Sequence, residues 1–283
     1  MARFEVKGAH VLVTGAARGI GAATSRRLIE KGARLSLIDL DGEALAEEEN
    51  ALRRLAERFG GTVAARQCDI SKREELRDAF REITREQGAV QVLVNNAGIL
   101  VPGDFVDQPM VKWEKTITVN LTALIELTHL ALPEMYEANN GVVVNISSAA
   151  GTLGVAGMVA YSTSKWGVWG FTEALRHEAW NAGKRGVHFA SVHPSFIRHG
   201  LFAGAKIRRL GGLLVPRIKD HDVIAKAIVE SAISRKKTVV MRPRTVRLTP
   251  FLRGVLPDRV FQWLIRAMGV DEAMGSWRGP AAG

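Results

Sequence analysis

Short apolar runs alternate along the chain with longer stretches whose apolar residues recur every three or four positions. The runs fall at residues 10–13, 35–38, 62–66, 92–95, 142–146, 187–192 and 238–241, with amphipathic stretches between most of them. Runs of this length suit strands buried on both faces, and the intervening pattern suits helices with one apolar stripe. The repeated strand-helix rhythm predicts an α/β fold: a doubly wound parallel sheet with helices on both faces. One highly charged helix is expected over residues 43–59, where 8 of 17 positions are charged and Leu45, Leu52, Leu55, Ala56 and Phe59 recur at helical spacing. The rhythm stops near residue 245.

The first run leads into Thr14-Gly15-Ala16-Ala17-Arg18-Gly19-Ile20-Gly21, and a helical pattern follows through Ala22, Leu28 and Ile29. A strand, a glycine-rich turn and a helix in that order form the context of a dinucleotide fingerprint. Gly15 suits a tight turn, Gly19 lets the backbone approach a pyrophosphate at the positive helix end, and Gly21 permits close packing of helix on strand. The second run ends in Asp39, about 20 residues on, where an acidic group meets ribose hydroxyls.

A second chemical signal lies at Tyr161-Ser-Thr-Ser-Lys165, with Ser148 thirteen residues upstream. A spacing of four puts the phenol and the amine on one face of a helix. An ammonium beside a phenol favours the phenolate and equips the tyrosine to exchange a proton.

Composition bounds these readings. At 283 residues and 47% hydrophobic content the chain is long enough to bury a full core as one domain. The single cysteine, Cys68, rules out an internal disulfide and suits a reducing compartment. The first eight residues hold no apolar signal core, and no window reaches the roughly 18 apolar residues needed to span a bilayer, so the expected location is cytoplasmic. The lone cysteine and scattered histidines give no metal-ligand spacing. The net charge of +10 is uneven: residues 198–283 carry 17 Lys and Arg against 6 Asp and Glu, whereas the preceding residues carry 22 against 23. The basic end has no accompanying nucleic-acid motif or stacking platform, which leaves an anionic substrate or an anionic lipid surface as its partner.

Taken together, Thr14-Gly-x-x-x-Gly19-Ile-Gly21, Cys68-Asp69-Ile70, Asn95-Asn-Ala-Gly98, Val119-Asn120, Ile146-Ser-Ser148, Tyr161-Ser-Thr-Ser-Lys165 and His193-Pro194 occur in one order. In that order the chain resembles the short-chain dehydrogenases/reductases over about residues 8–245. The resemblance implies a Rossmann fold and a catalytic set of Ser148, Tyr161, Lys165 and Asn120. Tyr161 would give or take the proton, Lys165 would hold the nicotinamide ribose, Ser148 would polarise the substrate oxygen and Asn120 would anchor a relay water. The cofactor wall it implies begins with Gly15, Arg18, Gly19, Ile20, Gly21 and Asp39. It continues through Asp69, Ile70, Asn96, Ala97 and Gly98, and closes with Tyr161, Lys165, Pro194, Ile197 and His199. Family members usually carry threonine where this chain has His199, whose side chain could hydrogen-bond the carboxamide or a cofactor phosphate, make binding depend on pH near the histidine range, or stand as an ordinary loop histidine. Members commonly form homodimers or homotetramers.

Opposing charges decide the expected cofactor. Asp39 would accept hydrogen bonds from both ribose hydroxyls of NAD and repel the 2′-phosphate of NADP, while Arg18 could attract that phosphate. NAD is the expectation, with NADP second. Residues 199–220 would cover the substrate as an apolar lid with interspersed cations, and residues 246–283 would form a basic amphipathic extension. Within the extension a helix is expected to begin at Pro257-Asp258 and end at Gly269. Gly200-Leu-Phe-Ala-Gly-Ala-Lys-Ile-Arg208, Arg242-Pro-Arg244 and Gly269-Val-Asp-Glu-Ala-Met274 resemble the retinol dehydrogenase and 17β-hydroxysteroid dehydrogenase-like branch. That resemblance implies a small lipophilic alcohol or ketone of steroid, retinoid or long-chain type. The apolar face beside Arg253, Arg259 and Arg266 suits peripheral contact with an anionic membrane through the C-terminus or a cover over the pocket, with packing in the protein's own core or at a dimer interface also open. Two other readings stay open at this stage: an NADPH-dependent ketoreductase of acyl thioesters, and a noncatalytic nucleotide-binding scaffold.

Overall fold

The computed structural model describes residues 3–198, 212 and 216–270. Its strands are β1 (His10–Thr14), β2 (Arg34–Asp39), β3 (Thr62–Gln67), β4 (Val92–Asn95), β5 (Gly141–Ile146), β6 (Val187–Pro194) and β7 (Val239–Arg242). Every pairing is parallel, and the sheet order is β3-β2-β1-β4-β5-β6-β7. The apolar runs at 92–95 and 142–146 lie at its centre, where every residue of β4 and β5 is buried. That double burial is why they read as continuous apolar segments.

Helices cover both faces. On one side α1 (Gly19–Ile29) and α2 (Gly42–Phe59) pack with the segment Ala227–Ser234, a π-helical continuation of the short α7 (Asp222–Lys226). On the other lie α3 (Arg73–Gln87), α5 (Ala123–Glu137) and α6 (Val159–Asn181). The charged helix expected at residues 43–59 is α2, which opens on an Asp41 cap accepting the Ala44 N–H and closes on Gly60 in the left-handed region.

Two features position the site. The chain runs outward from β1 toward β2 and β3, then returns across the sheet to β4 on the other side of β1. A crevice therefore opens beyond the carboxyl ends of β1 and β4, at the topological switch point. The second feature is an interruption: α4 (Met110–Ile117) passes into α5 through a π-helical turn, Thr118–Thr122, which carries Asn120.

Beyond β7 the extension folds as α8 (Leu248–Val255) and α9 (Asp258–Met268), with Gly269 in the left-handed region. Phe261, Ile265 and Val270 pack with Val246, Met158 and Tyr161 in a third apolar cluster at the catalytic end of the sheet. Most of the lid expected at residues 199–220 lies outside the described residues, as do His199, the 200–208 stretch and residues 271–274.

Candidate active site

The turn after β1 is shaped by contacts that only glycine permits. Gly15 and Gly19 have φ of +64° and +61°, and a Cβ on Gly21 would fall 2.0 Å from the Gly15 carbonyl oxygen. Thr14 and Asn96 hold this turn against β4. The Thr14 hydroxyl accepts the N–H groups of Asn96 and Ala97 at 3.1 Å, and the Asn96 amide donates to the carbonyls of Thr14 and Gly15. The first turn of α1 carries no acidic residue, and its N-cap, Arg18, makes no side-chain capping bond. Backbone N–H groups and the positive helix end are thus presented to the crevice.

The crevice is a cavity of about 710 Å³. At one end its wall is Arg18, Asp39, Leu40, Asp41, Asp69 and Ile70. Asp39 accepts the Ala17 N–H at 2.9 Å and the Asp41 N–H at 3.1 Å, which fixes its carboxylate at the tip of β2. Arg18 forms an ion pair with Asp41 at 2.7 Å. The Asp69 carboxyl is held below its usual range by hydrogen bonds from Ser71. In the middle stand Gly15, Gly19, Ile20, Asn96, Ala97 and Gly98.

The far end gathers the groups of the second signal. Ser148, Tyr161 and Lys165 line the cavity with Pro194, Ser195 and Ile197. Tyr161 and Lys165 are 4% and 3% exposed, so both titrating groups sit in a low-dielectric wall. The Lys165 ammonium donates to the Ile146 carbonyl at 2.9 Å and lies 5.7 Å from the centroid of the Tyr161 ring. Gly98 makes room for it, because a Cβ there would stand 3.4 Å from Lys165 Nζ and 3.2 Å from Asn120 Oδ1. Ser147 secures α6 by donating from its hydroxyl to the Lys165 carbonyl.

Electrostatics correct one expectation. The ammonium was expected to draw the phenol downward; instead burial pushes Tyr161 up to about 12, opposed by a hydrogen bond with Ser148. Burial likewise pushes Lys165 down to about 8. Desolvation disfavours the charged form of each, and Lys165 spends its nearest hydrogen bond on a carbonyl rather than on the phenol. Behind Ser148, His193 is fully buried, with Nδ1 3.3 Å from the Ser148 carbonyl oxygen, Nε2 3.0 Å from the Ser191 hydroxyl and its ring edge-on to Trp169. Burial drops its titration to about 4, so the ring is neutral.

Not every expected residue reaches the wall. Gly21 lies behind the turn, against Gly15 and Asn96. The Asn120 side chain is also set back: its oxygen accepts the Ile99 N–H at 2.7 Å, and its amide donates to the Ile99 carbonyl and the Ser164 hydroxyl. Those bonds engage both ends of the amide and leave its backbone, in the π-helical turn, as the part of Asn120 that could anchor a relay water. Conversely Lys115, Ser195 and His221 line the cavity without having been singled out in the sequence. Ser195 follows the His193-Pro194 motif directly, whereas Lys115 and His221 stand in no local motif and arrive through tertiary folding.

These residues fit a dinucleotide. The cavity is elongated between a ribose-type carboxylate and a buried phenol-ammonium pair, with an uncapped helix end between them. The Ser195 hydroxyl is buried with no hydrogen-bond partner among the described residues, which leaves a polar atom for a bound group to satisfy. Fold and wall together define a nucleotide-dependent oxidoreductase site.

Comparison with known proteins agrees. Residues 9–206 match the family model described as short chain dehydrogenase. Mouse epidermal retinol dehydrogenase 2 is 34% identical over 268 residues, and human retinol dehydrogenase 10 is 29% identical over 290, each alignment covering 95% of this chain and 84% of the relative. A short chain dehydrogenase/reductase from Burkholderia phymatum in complex with NAD superposes with a TM-score of 0.78 at 25% identity, covering 92% of this chain and 96% of that one. A metagenomic short-chain oxidoreductase in complex with NADP gives 0.69 at 30% identity, covering 83% and 96%. The chain belongs to the short chain dehydrogenase family, and it is an NAD(P)-dependent oxidoreductase acting on alcohols.

Proposed function

We propose that the chain is an NAD-linked dehydrogenase of hydrophobic alcohols, with Tyr161 as the general base and Ser148 and Lys165 beside it. The observation that carries this reading is the meeting of those three groups at one end of a cavity whose other end is acidic. The dinucleotide supplies the hydride acceptor for oxidation and the donor for reduction. The residues do the rest: the first turn of α1 holds the phosphates, Asp39 the adenine ribose, and Asp69 the adenine side. Ser148 orients the substrate oxygen, and Tyr161 takes the hydroxyl proton as the carbinol carbon loses its hydride. Lys165 holds the second ribose and places a positive charge near the phenolate as it forms. Asn120 braces Ile99 beside Gly98, and in that position supports the wall that Lys165 approaches. Tyr161→Phe is expected to cut NADH formation by about 10²–10⁴-fold, the usual weight of a positioned acid-base group, while NADH binding followed by fluorescence persists. Undiminished turnover in the variant would overturn the assignment.

NAD rather than NADP is supported by charge. Asp39 and Asp41 stand together at the ribose end, and Arg18 is already paired with Asp41, so a 2′-phosphate there would meet two carboxylates and a neutralised arginine. Asp39→Ala is expected to raise kcat/KM with NADP relative to NAD. Steady-state kinetics in which the unmodified protein prefers NADP would reverse the reading.

A lipophilic substrate is supported by the surroundings of Ser148. A small apolar recess of about 20 Å³ beside it is lined by Ala149, Leu153, Val155, Met158, Phe196 and Val270, which gives the reacting end of a substrate apolar neighbours. The names of the curated relatives point the same way, toward a retinoid-like alcohol. A screen of retinoids, steroids and long-chain alcohols, followed by nicotinamide absorbance, decides among them. We further infer a cytoplasmic protein that assembles as a homodimer or homotetramer, supported by the exposed apolar Ile125 on α5 and Val159 and Trp180 on α6. Peripheral contact with lipid through α8 and α9 belongs to the same reading. Its support is the exposed apolar face of those helices.

A further inference from the structure

His221 arrives at the phosphate end of the cavity from a segment far along the chain, and it is fixed there from two directions. On its N-terminal side Ile218 pairs with Ile197 in an isolated parallel bridge, donating its N–H to the Phe196 carbonyl and accepting the Arg198 N–H. This ties the approach to the loop after β6. On its C-terminal side Asp222 meets Arg27 of α1 in a two-pronged ion pair, both contacts at 2.5 Å. His221 itself opens α7, its carbonyl accepting the N–H groups of Ile224 and Ala225.

The consequence is geometric. The imidazole lies over Gly19, with Nε2 3.5 Å from the point a Cβ on that residue would occupy. It therefore faces the uncapped first turn of α1 and lines the same cavity.

We propose that His221 is a phosphate-contacting residue of the dinucleotide site, donating from its ring to the bridging phosphates beside the Gly19 turn. The glycine turn and α1 would grip the anion with backbone N–H groups, and the imidazole, packed against Gly19, would add a side-chain donor at the edge of the same turn. The Arg27–Asp222 pair acts as a positioning clasp that keeps α7, and so the ring, against α1. A consequence is that the loop after β6, which borders the catalytic end, is coupled through Ile197 and Ile218 to the group holding the phosphates.

The inference rests on the dinucleotide reading of the cavity, and a binding experiment separates the two. NADH, ADP and adenosine are titrated against the full chain by calorimetry or fluorescence, in the unmodified protein and in His221→Ala and His221→Gln. Loss of one hydrogen bond to a charged group predicts about tenfold weaker binding of NADH and ADP to His221→Ala. Adenosine, which has no phosphate, keeps its affinity, and His221→Gln, whose amide still donates, recovers most of the loss. Equal ADP affinity in His221→Ala and the unmodified protein would overturn the phosphate contact, as would an equal loss for adenosine. Failure of the unmodified protein to bind either NADH or ADP would instead overturn the dinucleotide reading of the cavity.

Discussion

Tyr161 and Lys165 stand one turn apart on α6, and burial moves their titrations apart, the phenol up to about 12 and the ammonium down to about 8. At neutral pH the phenol therefore holds its proton and Lys165 stays charged. Alcohol oxidation needs the phenolate, so its kcat/KM should climb as pH rises, whereas carbonyl reduction uses the protonated form and should not. The Ser148 hydrogen bond favours the phenolate, so removing it should push the phenol still higher. Alkaline titration of the tyrosine absorbance should show the Tyr161 phenol moved still higher in Ser148→Ala, and initial rates at saturating NAD from pH 6 to 10 should be lower throughout. An unmoved phenol titration in the variant would mean that Ser148 acts on the substrate oxygen alone. The i,i+4 spacing made this pair legible in the sequence. The direction of the Tyr161 shift was not legible, because spacing reports adjacency and says nothing about desolvation or about the carbonyl that Lys165 selects.

At the scale of elements, legibility followed how local each determinant is. The strand at residues 92–95 and the helix from Gly42 to Phe59 were readable because apolar period and caps are properties of a few consecutive residues. The glycine turn was readable for the same reason: positive φ and close approach leave glycine as their mark at Gly15, Gly19 and Gly21. The π-helical turn at Thr118–Thr122 left no such mark, since one extra residue per turn barely alters the apolar pattern. Asn120 was therefore recognisable as a motif but not as the brace of Ile99. His221 was illegible for a stronger reason. Its place over Gly19 depends on a strand bridge to Ile197 and an ion pair spanning Arg27 and Asp222, contacts that no local window contains. The expected helix ending at Gly269 appeared as α9, preceded by the separate α8. Pro257, in extended backbone, marks the break between them.

Over the whole molecule the charge asymmetry and the amphipathic end meet on one surface. The inner face of α9 contributes Phe261 and Ile265 to the cluster that contains Tyr161, so the extension is part of the catalytic end and cannot be removed without opening that core. Its outer face is different: Phe251, Val255 and Trp263 are 62%, 60% and 67% exposed, with Arg247, Arg253, Arg259 and Arg266 among them. Arg253 stacks over Trp166 and Phe261, which joins the helix pair to α6. An apolar face fringed by cations of one sign suits an anionic lipid surface, whereas a two-fold contact with a second copy would bring the arginines toward one another. Sedimentation with vesicles is expected to show binding when an anionic phospholipid is included. Little binding is expected to neutral vesicles. Binding should weaken on going from 0.15 M salt, where the screening length is about 8 Å, to 1 M, where it is about 3 Å. Replacing Phe251 and Trp263 together by serine should lower the bound fraction while dinucleotide affinity holds, because both side chains point away from the cavity wall. Equal binding to neutral and anionic vesicles would remove the role given to the arginines. A double variant that binds lipid normally but no longer self-associates would reassign this face to a subunit contact. Salt-sensitive binding to anionic vesicles that the double variant loses would place the apolar recess beside Ser148 next to the phase in which a hydrophobic alcohol is most concentrated.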